Sequence, residues 1–122
     1  MKKDLLTRLN EGPILCAEGY LFAMERRGYL QAGAFVPEVV LNNPEVVLQL
    51  HREFIRSGSD VVQAFTYYGH REKLRIIGKE HLLEPLQKNA LNIAHEAVKE
   101  FSELDLMICG DVANTNIFDP ND

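Results

Sequence analysis

"NNPEVVLQLHREFIRSGSDVVQAFTYY", residues 42–68, carries two periodicities across a single break. Asn43 can cap a helix with Pro44 at its first position, and Val47, Leu50, Phe54 and Ile55 recur at the spacing of one apolar helical stripe. Gly58 stops that helix. From Ser59 the chain turns β-branched and aromatic, "SDVVQAFTYY", which predicts a buried strand entered through a short helix-to-strand loop, as a parallel sheet requires.

The same alternation extends in both directions. Upstream, "KKDLLTRLNEG" predicts a short amphipathic helix through Leu5, Leu6 and Leu9, and "PILCA", residues 13–17, predicts a first strand bounded by Pro13 and Gly19. Downstream, Leu86, Ala90, Ile93, Ala97 and Phe101 mark a second long helix that leads into "LDLMICG", residues 104–110, the third predicted strand. The strands begin at residues 13, 59 and 104. Strand, helix, strand, helix, strand is an α/β pattern of right-handed βαβ units, and the wide spacing suits a (β/α)8 TIM barrel with elaborated loops. The expected fold is therefore the amino-terminal three βα units of such a barrel, with residues 1–122 as one partial barrel domain. A full barrel needs eight strands and about 250 residues. The chain ends on "NTNIFDPND", turn-forming residues directly after a strand, so the expectation is an unfinished barrel.

Composition removes several function classes. Hydrophobic residues make up 46% and charged residues 25% of the chain, as in an ordinary globular domain. A formal net charge of -5 offers no basic footprint for nucleic acid, and the one basic cluster, Arg71, Lys73 and Arg75, is diluted by Glu72. No apolar run approaches the roughly 20 residues of a membrane span, and "MKKDLLTRLNEGP" lacks the apolar core of a secretory signal, so a cytoplasmic protein without membrane contact is expected. Cys16 and Cys109 show no CxxC spacing and read as buried thiols rather than a two-thiolate metal site.

Chemistry in parallel α/β folds sits beyond the carboxyl ends of the strands. Here the first strand runs into Glu18, Gly19 and Tyr20, the second into Phe65, Thr66, Tyr67, Tyr68 and Gly69, and the third into Gly110, Asp111, Asn114, Thr115 and Asn116. Carboxylates and amides suit an ammonium, backbone N–H groups near Gly19 or Gly110 suit a carboxylate, and tyrosine faces suit a cation; together they fit a small zwitterion. Each feature has a plainer reading: Asp111 as an Asx turn or helix cap, Tyr67 and Tyr68 as packing at the rim, Glu18 as a surface turn. No GxGxxG, Walker, Ser/His/Asp or Cys/His pattern is present, and no catalytic or metal-ligating residue is assigned. His51 reads as a helix residue at a packing boundary and His70 as a loop residue.

"EGYLFAMERRGYLQAG", "QLHREFIRSGSDVVQAFTYYGHREKL" and "CGDVANTN" resemble the amino-terminal part of the homocysteine S-methyltransferase family, most of all its betaine–homocysteine branch. The resemblance implies a zinc enzyme on a (β/α)8 barrel that moves a methyl group from betaine or a similar onium donor to the homocysteine thiolate, giving methionine. It implies homocysteine and the methyl donor as partners; the expected substrate-binding residues are the strand-end residues Glu18, Gly19, Thr66, Tyr67, Tyr68, Asp111 and Asn114, of which Tyr68 matches the family's pocket tyrosine. Two departures stand out. The family's binding acid aligns with Ala17, and Glu18 falls on the following glycine, so the acid moves by one residue; Ala64 replaces a hydroxyl residue that helps hold homocysteine. The family's zinc cysteines lie in its carboxyl-terminal half, one near a late strand end and an adjacent pair in a Gly-Gly-Cys-Cys stretch, and these 122 residues contain neither. A fragment inactive alone is one expectation. A non-catalytic amino-acid-binding half barrel, or an assembly module completed by a partner chain or by self-association, is the alternative.

Overall fold

The computed structural model describes residues 2–30, 37–115 and 117–122; residues 31–36 and Asn116 lie outside the described residues. In order come α1 (Leu5–Glu11), α2 (Tyr20–Arg26), α3 (Val39–Asn42), α4 (Pro44–Arg56), β1 (Val61–Gln63), α5 (Arg71–Ile76), a 3-10 turn (Glu80–Leu82), α6 (Leu83–Glu100) and β2 (Met107–Cys109). β1 and β2 pair in parallel, Val61 opposite Met107 and Gln63 opposite Cys109. On the other side of β1, Cys16 forms a single parallel bridge to Val61. The sheet order is thus first strand, β1, β2, as successive βαβ units demand.

The long helices form where the periodicity places them. In α4, Val47, Leu50 and Ile55 are buried; in α6, Leu86, Ala90, Ile93 and Ala97 are buried. These two helices pack on each other and on one face of the sheet, where Val62 and Ala64 alternate inward. Arg52 and Glu100 join the helices through two hydrogen bonds of 2.6 Å.

The strands are shorter than the sequence suggests. The first contracts to Cys16, because Pro13 has no N–H to donate and the chain departs from the sheet after Ala17. Cys16 is exposed rather than buried, since Ala17 next to it takes the helix-covered face and alternation turns Cys16 to the open one. Cys109 is half-buried. The leucines of α1 do not join the core either: Leu5, Leu6 and Leu9 are all exposed. What holds α1 is Arg8, which reaches Asp60 at 2.9 Å and donates to the Asp105 carbonyl, while Asp60 also accepts from the Leu15 N–H at 2.9 Å. Two short helices, α2 and α5, follow the first strand and β1, and bury Tyr20, Ala23 and Met24 in one and Leu74 in the other.

Candidate functional site

The first strand, β1 and β2 all release their chains at the same end of the sheet, and a cleft of about 330 Å³ opens there. Its walls include Glu18, Gly19, Tyr20, Leu21 and Phe22 from the first connection, Gln63 through Tyr67 from the end of β1, and Asp111 after β2. Of the residues expected from sequence, Glu18, Gly19, Thr66, Tyr67 and Asp111 therefore share one cavity. Tyr68 and Asn114 are not part of its lining. The Tyr68 ring lies 4.3 Å from that of Tyr67, and the Asn114 carbonyl is 3.2 Å from His70 Nε2.

Local backbone chemistry explains these placements. Gly19 takes φ 84 at the start of α2, a left-handed conformation that lets the chain reverse immediately after Glu18. Tyr68 also has a positive φ, 61, and the Gly69 N–H donates to the Thr66 carbonyl at 2.7 Å, closing a tight turn. That turn separates the two tyrosines: Tyr67 lines the cleft, whereas Tyr68 carries Lys73 Nζ 4.4 Å from its ring centroid. His70 is not a free loop residue but caps α5, accepting from the Lys73 N–H.

The lining contains two carboxylates and no Lys, Arg or His. Glu18 is exposed. Asp111 Oδ2 is buried and has no hydrogen-bond partner among the described residues. A side-chain hydrogen bond with Tyr68, then burial, then the charges of Tyr68 and Asp111 raise the Tyr67 hydroxyl above its ordinary value, so Tyr67 stays protonated. Burial, reinforced by Cys16 and Asp111, likewise raises the Cys109 thiol. An anionic cleft walled by Tyr20, Phe22, Phe65 and Tyr67 can hold a small cation or the ammonium end of an amino acid.

Gln63, Leu21 and Phe22 were missed as lining residues. Gln63 was legible in principle, since it lies two residues after Val61 and so shares its face of the sheet. No signal in the sequence turned Leu21 and Phe22 toward the cleft; that follows from α2, whose charged end "ERR" concealed a buried stripe of Tyr20, Ala23 and Met24.

Among the described residues no group of three or more His, Cys, Asp or Glu side chains could hold a metal ion, and the half-buried Cys109 thiol is pushed away from the thiolate form that zinc prefers. The residues present do not fit a zinc site.

The profile of the family described as Homocysteine S-methyltransferase matches residues 19–120, which include β1, β2 and the cleft lining from Gly19 onward. The chain belongs to the homocysteine S-methyltransferase family. Among its relatives, betaine–homocysteine S-methyltransferase 1 of Pongo abelii is 42% identical over 117 residues, covering 93% of this chain and 29% of the relative. The Sus scrofa protein of the same name is 40% identical and matched over 93% of this chain and 42% of its own length. A crystal structure of the metallated homocysteine methyltransferase of Escherichia coli superposes with a TM-score of 0.75 over 92% of this chain and 42% of that one; at 20% identity it shows the shared α/β fold. The chain thus spans 29% of the length of the Pongo abelii relative.

Proposed function

We propose that this chain supplies the homocysteine-binding part of a homocysteine S-methyltransferase of the betaine type, and that its 122 residues are the first three βα units of a (β/α)8 barrel in the cytoplasm. The observation that carries the reading is the cleft itself: Glu18, Gly19, Thr66, Tyr67 and Asp111, from three separate strand ends, line one anionic, aromatic cavity, and all of these but Glu18 fall inside the matched region. Glu18 receives the ammonium of homocysteine, and the backbone N–H groups near Gly19 face its carboxylate. Tyr67 and Tyr68 offer aromatic faces to an onium donor such as betaine, with Asp111, Thr66 and Asn114 completing the polar rim.

In the transfer, a bond forms between the homocysteine sulfur and the methyl carbon as the methyl–nitrogen bond breaks; the donor leaves as a neutral tertiary amine and methionine is produced. A thiol with a pKa of about 8.5 is mostly protonated at neutral pH, so the reaction needs help in removing that proton. Among the described residues no cluster of side chains could hold a zinc ion for this task, so a zinc that the reaction uses would be bound by residues outside this chain. By itself the chain binds and orients. A second reading, an amino-acid-binding module that does no chemistry, is supported by the same cleft, whose lining carries binding groups from all three strand ends.

Calorimetric titration of L-homocysteine into the protein tests the proposal. Glu18→Gln is expected to weaken binding roughly fivefold to tenfold, toward the low end for a charge-assisted contact because Glu18 is exposed. Equal affinity in the two chains would reduce Glu18 to a turn residue. A methionine-formation assay with the barrel's remainder supplied separates the methyltransferase from the binding module.

A further inference from the structure

We propose that Tyr20, held by His51, is a positioning residue that keeps the chain beyond Ala17 parted from β1 and so sets Glu18 at the mouth of the cleft. This rests on the reading of the cleft as a homocysteine site.

The ladder beside β1 carries the argument. The Val61 N–H donates to the Leu15 carbonyl at 3.1 Å, and the Ala17 N–H donates to the Val61 carbonyl at 2.8 Å. In a parallel ladder the next rung repeats two residues on, from the Gln63 N–H to the Ala17 carbonyl. That rung is replaced. The Gln63 N–H donates instead to the Tyr20 hydroxyl at 3.1 Å. A side chain from α2 has taken the place of a strand, and the chain is free to leave the sheet at Ala17, place Glu18 and turn through Gly19.

The hydroxyl is fixed from behind. Tyr20 is 4% exposed, with its ring 4.8 Å from Phe54, 5.9 Å from Phe65 and 5.2 Å from His51 between centroids. His51 Nδ1 lies 3.0 Å from the hydroxyl oxygen. The oxygen accepts from the Gln63 N–H, and the direction of its bond with Nδ1 follows the tautomer of the ring, whose buried Nε2 has no partner among the described residues. His51 is fully buried, and burial pushes its pKa down to about 4, so the ring stays neutral throughout the neutral range. Removing the hydroxyl leaves the Gln63 N–H unpaired next to the core. Along the ladder, the acceptor in line for it is the Ala17 carbonyl, and pairing with it would draw Ala17 and Glu18 back onto the sheet and narrow the cleft.

The test compares Tyr20→Phe, His51→Leu and His51→Gln by calorimetry with L-homocysteine and by hydrogen exchange at the Gln63 amide. Tyr20→Phe and His51→Leu are expected to raise the dissociation constant roughly tenfold and to change Gln63 exchange, whereas His51→Gln, whose amide keeps a hydrogen-bond partner for the Tyr20 hydroxyl, should restore most of the affinity. Ile93→Val, in the core of α6, serves as the control: it lowers the urea midpoint without changing affinity. If Tyr20→Phe binds as the unaltered chain does while Glu18→Gln does not, the positioning role is wrong and the homocysteine reading stands. If the unaltered chain takes up no homocysteine, both fall. Should Tyr20→Phe not fold, the His51→Leu and His51→Gln pair decides alone, and equal affinity in those two overturns the inference.

Discussion

Gly69 stands against Leu86 so closely that a β-carbon built on it would come within 2.8 Å of Leu86 Cδ2 and 3.0 Å of the Thr66 carbonyl oxygen. Leu86 is fully buried in α6, so neither neighbour can move aside cheaply. Glycine is required here by space, not by a left-handed backbone.

Gly69→Ala is therefore expected to destabilise the protein by about 1 to 3 kcal/mol, the usual range for overpacking. Displacement of the Thr66–Gly69 turn would also shift Tyr67, which lines the cleft. Urea unfolding and homocysteine titration read the two effects, and an unchanged unfolding midpoint would show that the site relaxes more easily than the packing suggests.

His51 links the same region to pH. Its pKa is about 4 in the folded protein because burial disfavours the charged ring, against about 6.5 when unfolded. As pH falls, the unfolded chain takes the proton first, so the neutral ring's contribution is complete above about pH 6.5 and is lost progressively toward pH 4. The loss should reach about 3 kcal/mol. Carboxylates titrate in part of the same window, so the measurement is a comparison: between pH 7 and pH 4.5, the unaltered chain should lose more stability than His51→Gln. Parallel losses in the two chains would remove His51 as the cause.

How far the sequence reveals this arrangement depends on the length of each signal. The stripes of α4 and α6 repeat over several turns, and their buried residues are those the spacing picks out, Leu50 and Ile55 in one and Ala90 and Ile93 in the other. α2 is 7 residues long and α5 is 6, too short for a stripe to outweigh the charges of "ERR" and "HREK". The cleft was legible as strand ends, since Glu18, Thr66, Tyr67 and Asp111 could be placed at one rim by topology. What could not be read was the departure at Ala17. It depends on a hydrogen bond between Tyr20 and Gln63, residues far apart in sequence whose meeting is decided by tertiary packing. His51 illustrates the same limit: a histidine within an apolar helix stripe looks like a boundary residue until its partner hydroxyl is known.

The last prediction concerns the 122-residue polypeptide by itself. Its structure leaves large apolar side chains in water, Leu6 at 73%, Phe22 at 65%, Val112 at 97% and Phe118 at 84% exposure. Among the described residues nothing pairs with the outer edge of β2, so its N–H and C=O groups are open to another strand. A domain's net stability is only about 5 to 15 kcal/mol, a margin that exposed apolar area and open strand edges readily erode unless chains associate. The polypeptide is therefore expected to sediment as an oligomer, larger than its 13.9 kDa monomer. Alone it should form no methionine from homocysteine with either betaine or S-methylmethionine, because the cleft provides binding groups without a metal-binding group among the described residues. A monodisperse monomer with a cooperative unfolding transition would overturn the first expectation. Turnover by the purified chain would overturn the second, and would require that some residue of this cleft deprotonate the thiol.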